Sequence, residues 1–330
     1  MEDRDFFQER KLEAVDRALA RLSPLETDCV LCPRECRVDR TRGQTGVCQT
    51  GSLARVSVGL LHFGEEPVLS GRGLPAGSRG SGTIFFTGCN LKCLFCQNFQ
   101  LSWLNEGQLL TDRELASLML ELQSQGALNL NLVSPTHVIL PILRALRLAY
   151  RQGLSIPLVY NSNGYDSLEV VEQLRGIVDI YLPDLKYVSS EHSRRYSSAP
   201  DYFDKARLAL QEMYCQQPDL VLDDREIARQ GLIIRHLVLP GAADDSIRVL
   251  EWIAENLSTS VGLSLMSQYH PCYKAPAEIQ REITREEYHR VMQRALDLGF
   301  ENLFLQPEPF QPDEHLVPDF RRKQPFRWKL

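Results

Sequence analysis

The sequence predicts an α/β protein in which a parallel sheet curls towards a barrel. Three observations carry this. From residue 83 onward short apolar runs alternate with helical patterns, the signature of repeated βα units. Within several of these runs polar and apolar residues alternate, so one face of each strand is polar. Ahead of the units lie a cysteine-rich stretch and a glycine-rich connection, which set off a small Cys-rich N-terminal segment.

In chain order, residues 1–22 carry apolar residues at helical spacing, and Pro24 lies just past them, where a helix stops. Cys29 to Cys48 follow, with Arg42-Gly43-Gln44-Thr45-Gly46 giving a tight turn. Gly71, Gly73, Gly77, Gly80 and Gly82 make residues 71–82 a flexible connection. Candidate strands are 83–87, 128–133, 156–161, 177–182, 232–239, 262–268 and 302–306, short of the eight of a closed barrel. Thr111 with Glu114 and Thr284 with Glu287 are capping boxes that start helices over 112–125 and 285–298. The domain reading is therefore 1–80 for an N-terminal helix and metal-binding segment, 81–310 for the barrel, and 311–330 for a C-terminal tail.

Leu128, Leu130 and Leu132 point one way and Asn129 and Asn131 the other. Ser264, Met266, Gln268 and His270 share a face, as do Asp184 and Lys186. A barrel accounts for this, with leucines against the helices and polar groups in a wet lumen. An open sheet with half-exposed edge strands is the alternative.

Apolar residues make up 43% of the 330 and charged residues 24%, the range of a folded, water-soluble protein. A net charge of −6 argues against a general nucleic-acid binder, which needs a basic surface. The charged, amphipathic N-terminus carries no secretory signal and no stretch approaches a membrane span, so a cytoplasmic protein without membrane contact is expected. In that compartment nine cysteines read as metal or cluster ligands before disulfides. They fall into two groups, Cys29, Cys32, Cys36, Cys48 and Cys89, Cys93, Cys96, leaving Cys215 and Cys272 as isolated small apolar residues.

The second group follows a strand and a glycine as Gly88-Cys89-Asn90-Leu91-Lys92-Cys93-Leu94-Phe95-Cys96, a C-x3-C-x2-C spacing at the end where parallel barrels carry their active sites. Three thiolates can bind three irons of a [4Fe–4S] cluster and leave the fourth open. A zinc site completed from elsewhere is the competing use of the same residues.

This motif resembles the signature of the radical S-adenosylmethionine superfamily. CxLCPRxC, His62-Phe63-Gly64-Glu65-Glu66-Pro67, SGTIFFTGCNLKCLFCQN, NLNLVSPTHV, VYNSNGYDS, VDIYLPDLKY, IIRHLVLPG and LSLMSQYHP together are similar to a family related to pyruvate formate-lyase activating enzymes. The resemblance covers most of residues 29–306. It implies a partial (β/α)6 barrel, one [4Fe–4S] cluster on Cys89, Cys93 and Cys96, and one S-adenosyl-L-methionine. It also implies that Asn161-Ser162-Asn163-Gly164 and Asp184-Leu185-Lys186 stand where those enzymes use Asp-Thr-Asn-Gly and Asp-x-Lys to hold S-adenosylmethionine, with Lys186 on the methionyl carboxylate. The alternative for Lys186 is a surface lysine beside Asp184. Asn161, Ser162, Asn163, Asp184, Lys186, Arg235 and His270 are thus the cofactor-binding candidates, while His137, His236 and His270 at strand ends read equally as packing residues. Where many superfamily members carry Gly-Gly-Glu, this chain has Val133-Ser134-Pro135-Thr136-His137, and no residue stands out as catalytic.

Cys29, Cys32, Cys36 and Cys48 give C-x2-C-x3-C-x11-C, which suits a zinc site or a second iron–sulfur cluster; free thiols are the third option. Glu65 and Glu66 read as a solvated pair, the usual fate of adjacent carboxylates, or as lumen residues. The leading expectation is an enzyme that cleaves S-adenosylmethionine reductively and abstracts hydrogen from a glycine of a partner protein, or from a small or peptide-like substrate. It would draw electrons from a donor such as flavodoxin or ferredoxin. The contrasting class is an iron–sulfur electron carrier or a cluster-binding structural protein, which needs no pocket.

Overall fold

The computed structural model describes residues 2–73, 79–306 and 317–326. Gly77 and the rest of 74–78 in the glycine-rich connection, and 307–316 and 327–330 of the C-terminal stretch, lie outside the described residues. In order, the elements are α1 (Glu2–Leu22), β1 (Ala54–His62), α2 (Pro67–Ser70), β2 (Ser81–Phe86), α3 (Phe99–Ser102), β3 (Gln108–Leu110), α4 (Asp112–Ser124), β4 (Leu130–Val133), α5 (Ile139–Arg151), β5 (Leu158–Asn161), α6 (Leu168–Gln173), β6 (Ile180–Tyr181), α7 (Ser190–Ser197), α8 (Tyr202–Gln216), β7 (Val221–Leu222), β8 (Ala228–Leu237), α9 (Ala243–Asn256), β9 (Gly262–Met266), α10 (Arg285–Asp297) and β10 (Asn302–Leu305).

All seven anticipated strands form, and they pair in parallel in chain order, β2-β4-β5-β6-β8-β9-β10. Each strand lies beside its predecessor, the winding of a barrel, and the sheet is not closed among the described residues. It is an α/β partial barrel. Both capping boxes form, at Thr111 with Glu114 and at Thr284 with Glu287.

Three strands are additions to the expected set. β1 pairs antiparallel with β2 and β3 with β1, and β7 pairs antiparallel with β8. A boundary near residue 80 therefore does not separate two sheets, since β1 belongs to the same sheet as β2. Gly59 interrupts the β1 pattern because α4 lies on it: a Cβ there would meet the Leu118 side chain at 2.8 Å.

Leu130 and Leu132 join the large core between sheet and helices, as their alternation predicts. The opposite face is not the wet lumen expected. Val159, Ile180, Leu182 and Ile233 pack there around Val68 and Leu69 of α2, which plugs the barrel. Asn129 is fully buried, and its Nδ2 donates to Leu69 O at 2.8 Å. Burying an amide is tolerable only when it is paired in this way.

Two further contacts fix the periphery. Lys11 of α1 reaches Asp179 at 2.7 Å and Ile177 O at 2.8 Å, both ends being buried; breaking such a pair costs about 3–5 kcal/mol. Residues 317–326 return to the lumen, where Phe320 and Phe326 pack with Phe85 and Leu60.

Candidate functional site

The loop that carries Cys89, Cys93 and Cys96 leaves the C-terminal end of β2 through Gly88, whose φ is +80°. A Cβ at Gly88 would stand 2.5 Å from Cys48 O and 3.1 Å from His137 Nε2, so only glycine lets the N-terminal segment press against the loop. Arg34 fastens the same joint. Its guanidinium donates to the carbonyls of Asn90 at 2.7 Å and Leu91 at 3.0 Å, and to Ser197 and Ser198 on the far side.

Two of the three sulfurs accept hydrogen bonds. Cys89 Sγ accepts from Leu91 N and from Asn163 Nδ2, each at 3.4 Å. Cys93 Sγ accepts from the Ser197 hydroxyl at 3.1 Å. Cys96 accepts no hydrogen bond among the described residues, and the nearby Ser102 hydroxyl is buried without a partner. Burial pushes the Cys93 thiol up to about 11 and Cys96 to about 12, and the neighbouring thiols add to both shifts. The three thiols therefore lie within electrostatic reach of one another.

The turns after β5 and β6 meet at this loop. Asn163 Nδ2 also donates to Asn90 Oδ1 at 2.8 Å, and its own Oδ1 accepts from Tyr165 N at 2.9 Å. Gly164, at φ +78°, packs so closely on the next turn that a Cβ would lie 2.1 Å from Asp184 O. The Tyr202 hydroxyl lies 2.9 Å from Asn163 O and 3.0 Å from Asp184 O, and accepts from Lys186 N at 3.1 Å. Lys186 pairs with Asp184 at 2.6 Å. Burial alone would lower its pKa, but Asp184 and then the thiols of Cys93 and Cys96 raise it overall. The lysine stays charged beside the loop.

Ser162 is used differently: its hydroxyl donates to Asp166 at 2.5 Å, where Thr136 and Tyr160 also donate. Burial raises Asp166, and the three hydroxyls satisfy it. Asn161 stands at the end of β5, half-buried, and its carbonyl accepts from Ser134 N at 2.9 Å.

Arg235 neighbours Asp184 through a parallel bridge, but its guanidinium is spent on protein partners. It forks onto Glu66 at 2.8 and 2.6 Å and pairs with Glu65. Glu65 also accepts from Asn131 Nδ2 at 2.8 Å and lies 3.3 Å from His62 Nδ1. Burial opposes ionisation of Glu65, yet Arg235 and His62 lower its pKa overall. The two glutamates are buried, not a solvated pair.

His270 does not join the site. β9 ends at Met266, so the alternation read through 268 and 270 stops, and His270 turns out to Glu282 at 3.3 Å with 40% of its side chain exposed. His137 and His236 are buried packing residues, on Thr87 O at 2.8 Å and Leu185 O at 2.7 Å. Burial lowers both, His137 to about 4, so both are neutral. The residues that local patterns did not reveal are Arg34, Ser197, Tyr202 and Arg40; CxLCPRxC contained Arg34 without showing what it grips.

Residues 83–253, just over half of the chain, match the family model described as Radical SAM superfamily. The chain belongs to the radical SAM superfamily. It is 33% identical over 280 residues to the uncharacterized protein MJ0674 of Methanocaldococcus jannaschii, covering 81% of this chain and 74% of that one. Among solved structures, methylornithine synthase shares 17% identity over 66% of this chain, with a TM-score of 0.43. Streptococcus suis SuiB bound to S-adenosylmethionine shares 16% over 67%, with a TM-score of 0.47. This chain spans 60% and 48% of their respective lengths.

Radical SAM membership implies a [4Fe–4S] cluster and S-adenosylmethionine. Among the described residues no three His, Cys, Asp or Glu side chains gather round a single metal ion. The donor chemistry of the motif loop fits the cluster: three thiols from one strand end, donors at two of the sulfurs, and Lys186 and Lys92 as nearby cations. Thiolates hold such a cluster, and hydrogen bonds to the sulfurs help to set its reduction potential. Among the described residues no helix is long and apolar enough to cross a membrane.

Proposed function

We propose that this chain cleaves S-adenosylmethionine reductively and uses the product to abstract hydrogen from a small or peptide-like polar substrate. The observation that carries this is the convergence of Lys186, Asp184 and Asn163 on the loop of Cys89, Cys93 and Cys96, directly beside the Arg235, Glu65 and Asn131 group. When bound, the cluster would supply one electron to the sulfonium and so release a 5′-deoxyadenosyl radical.

The chain's own residues bind and orient. Cys89, Cys93 and Cys96 would hold three irons. Lys186, kept charged by Asp184, suits the methionyl carboxylate, a charge-assisted contact in a partly buried site. Asn163 holds the loop to the turn after β5. Asn131 Oδ1 is buried without a partner, an acceptor suited to an N–H or O–H of a substrate. α2 plugs the barrel and Phe320 and Phe326 cover one side, an enclosure that suits a small group better than a bulky one. A reduced flavodoxin or ferredoxin is the class of donor this chemistry needs. A mere electron carrier has no use for the Lys186, Asp184 and Asn131 arrangement.

Deuterium transfer tests the substrate class. The loaded enzyme is incubated with a deuterated extract divided into macromolecular and small-molecule fractions, and 5′-deoxyadenosine is analysed for label. Label is expected from the small-molecule and peptide fraction; label arriving only from the macromolecular fraction would overturn this reading in favour of a partner protein.

A further inference from the structure

The N-terminal cysteines form a second group of free thiols, and, as at the motif loop, no three of them are drawn to the distance at which a single metal ion would be held among the described residues. Cys29, Cys32 and Cys48 are buried and Cys36 is half-buried, all as free thiols. Cys36 Sγ accepts from Val47 N at 3.4 Å, and Gly46 is packed so tightly on it that a Cβ there would stand 2.6 Å from the sulfur. Cys48 Sγ accepts from Arg40 Nη2 at 3.4 Å, with Cys29 and Cys32 also close to that guanidinium. The Arg34 backbone N–H lies beside Cys32.

Arg40 is the unusual member. It is 3% exposed, pairs with no carboxylate among the described residues, and is held by His137 O at 2.6 Å and the Cys48 sulfur. Its Nε is buried without a partner. A buried guanidinium is costly unless negative charge and acceptors meet it, and neutral thiols supply neither well.

The chain between Thr27 and Leu53 has one 3₁₀ turn, Arg40–Arg42, and no other helix or strand. Glu35, Arg37 and Gln49 are non-glycine residues at positive φ, +40°, +53° and +58°. Such backbone persists only where its surroundings over-determine it. A cross-link would add to the contacts that already fasten so short and irregular a segment to the barrel through Leu31, Arg34 and Arg40.

We propose that Cys29, Cys32, Cys36 and Cys48 hold a second metal–thiolate centre of net negative charge, with Arg40 as its buried counter-charge. Four thiolates exceed the charge of a zinc ion or of an iron–sulfur core, and both metals leave acceptor sulfurs for Arg40. Arg40 also places the centre beside the motif loop, because His137, whose carbonyl it holds, binds Thr87 O just before Gly88.

The test uses the full chain carrying Cys89→Ala, Cys93→Ala and Cys96→Ala, purified without oxygen and analysed for iron, sulfide and zinc. About one centre's worth of metal per chain is expected, removed by adding Cys29→Ser and Cys32→Ser. Iron with sulfide identifies a cluster and zinc alone a zinc site, and either supports the proposal. No metal in the triple variant, or metal that survives the further serines, overturns it. If the variants unfold, the wild-type holoprotein decides: metal in excess of one four-iron cluster supports the centre, and its absence overturns it. None of these measurements depends on S-adenosylmethionine cleavage, so their failure is separate from failure of the proposed function.

Discussion

The two cysteine groups set free thiols on opposite kinds of scaffold. Cys89, Cys93 and Cys96 ride on the end of a sheet strand, and their donors come from far along the chain, Asn163 after β5 and Ser197 at the end of α7. Cys29, Cys32, Cys36 and Cys48 lie in a segment almost without regular structure, and their donors are local, Arg34, Arg40 and Val47. Three ligands on a rigid strand end leave a position open for a reacting molecule, as catalytic sites do; four ligands closed over a loop staple it. If both proposals hold, the difference between chemistry and support follows from where the donors originate.

Two glycines separate the regions experimentally. Gly88 joins them, through its contact with Cys48 O, whereas Gly164 belongs to the barrel alone, through Asp184 O. Alanine at either should cost about 3 kcal/mol or more, since a positive-φ residue would also meet backbone. We expect Gly88→Ala to lower metal content at both groups and Gly164→Ala to spare the N-terminal one, read by metal analysis alongside urea unfolding. Wild-type stability and metal content in Gly88→Ala would break the joint as described.

A pH-dependent effect, which reaches its full size only at the acid end of its range, comes from His137 at that joint. Its pKa is lowered from 6.5 to about 4 by burial, with Arg40 and Lys92 adding to the effect against the Thr87 hydrogen bond. Above pH 6.5 both folded and unfolded chains leave it neutral. As pH falls from there to about 4 the unfolded chain takes up a proton that the folded one refuses, so stability drops, by about 3 kcal/mol in full. Denaturant midpoints of the metal-free protein should therefore slope downward over that window, and His137→Asn should flatten the slope. An unchanged slope in the variant would assign the acid sensitivity elsewhere.

Much of this architecture is legible in the sequence because apolar runs and capping boxes are local signals. The strands from 83 to 306 and the helices after Thr111 and Thr284 need nothing from outside their own windows. β1 escapes because Gly59 breaks its pattern to admit Leu118. Glu65 and Glu66 read as a solvated pair until Arg235, some 170 residues on, arrives to bury them. His270 misleads in the other direction, because a period-two pattern predicts a face only as far as the strand lasts. Ser197 and Tyr202 carry no local mark at all; their hydroxyls matter through contacts that only the tertiary fold creates.

The central claim is that Cys89, Cys93 and Cys96 make this chain an S-adenosylmethionine-cleaving enzyme. Anaerobically reconstituted protein, given dithionite and S-adenosylmethionine, should yield 5′-deoxyadenosine and methionine in equal amounts, with the Cys89→Ala, Cys93→Ala, Cys96→Ala variant yielding neither. Cleavage undiminished in that variant would contradict the account.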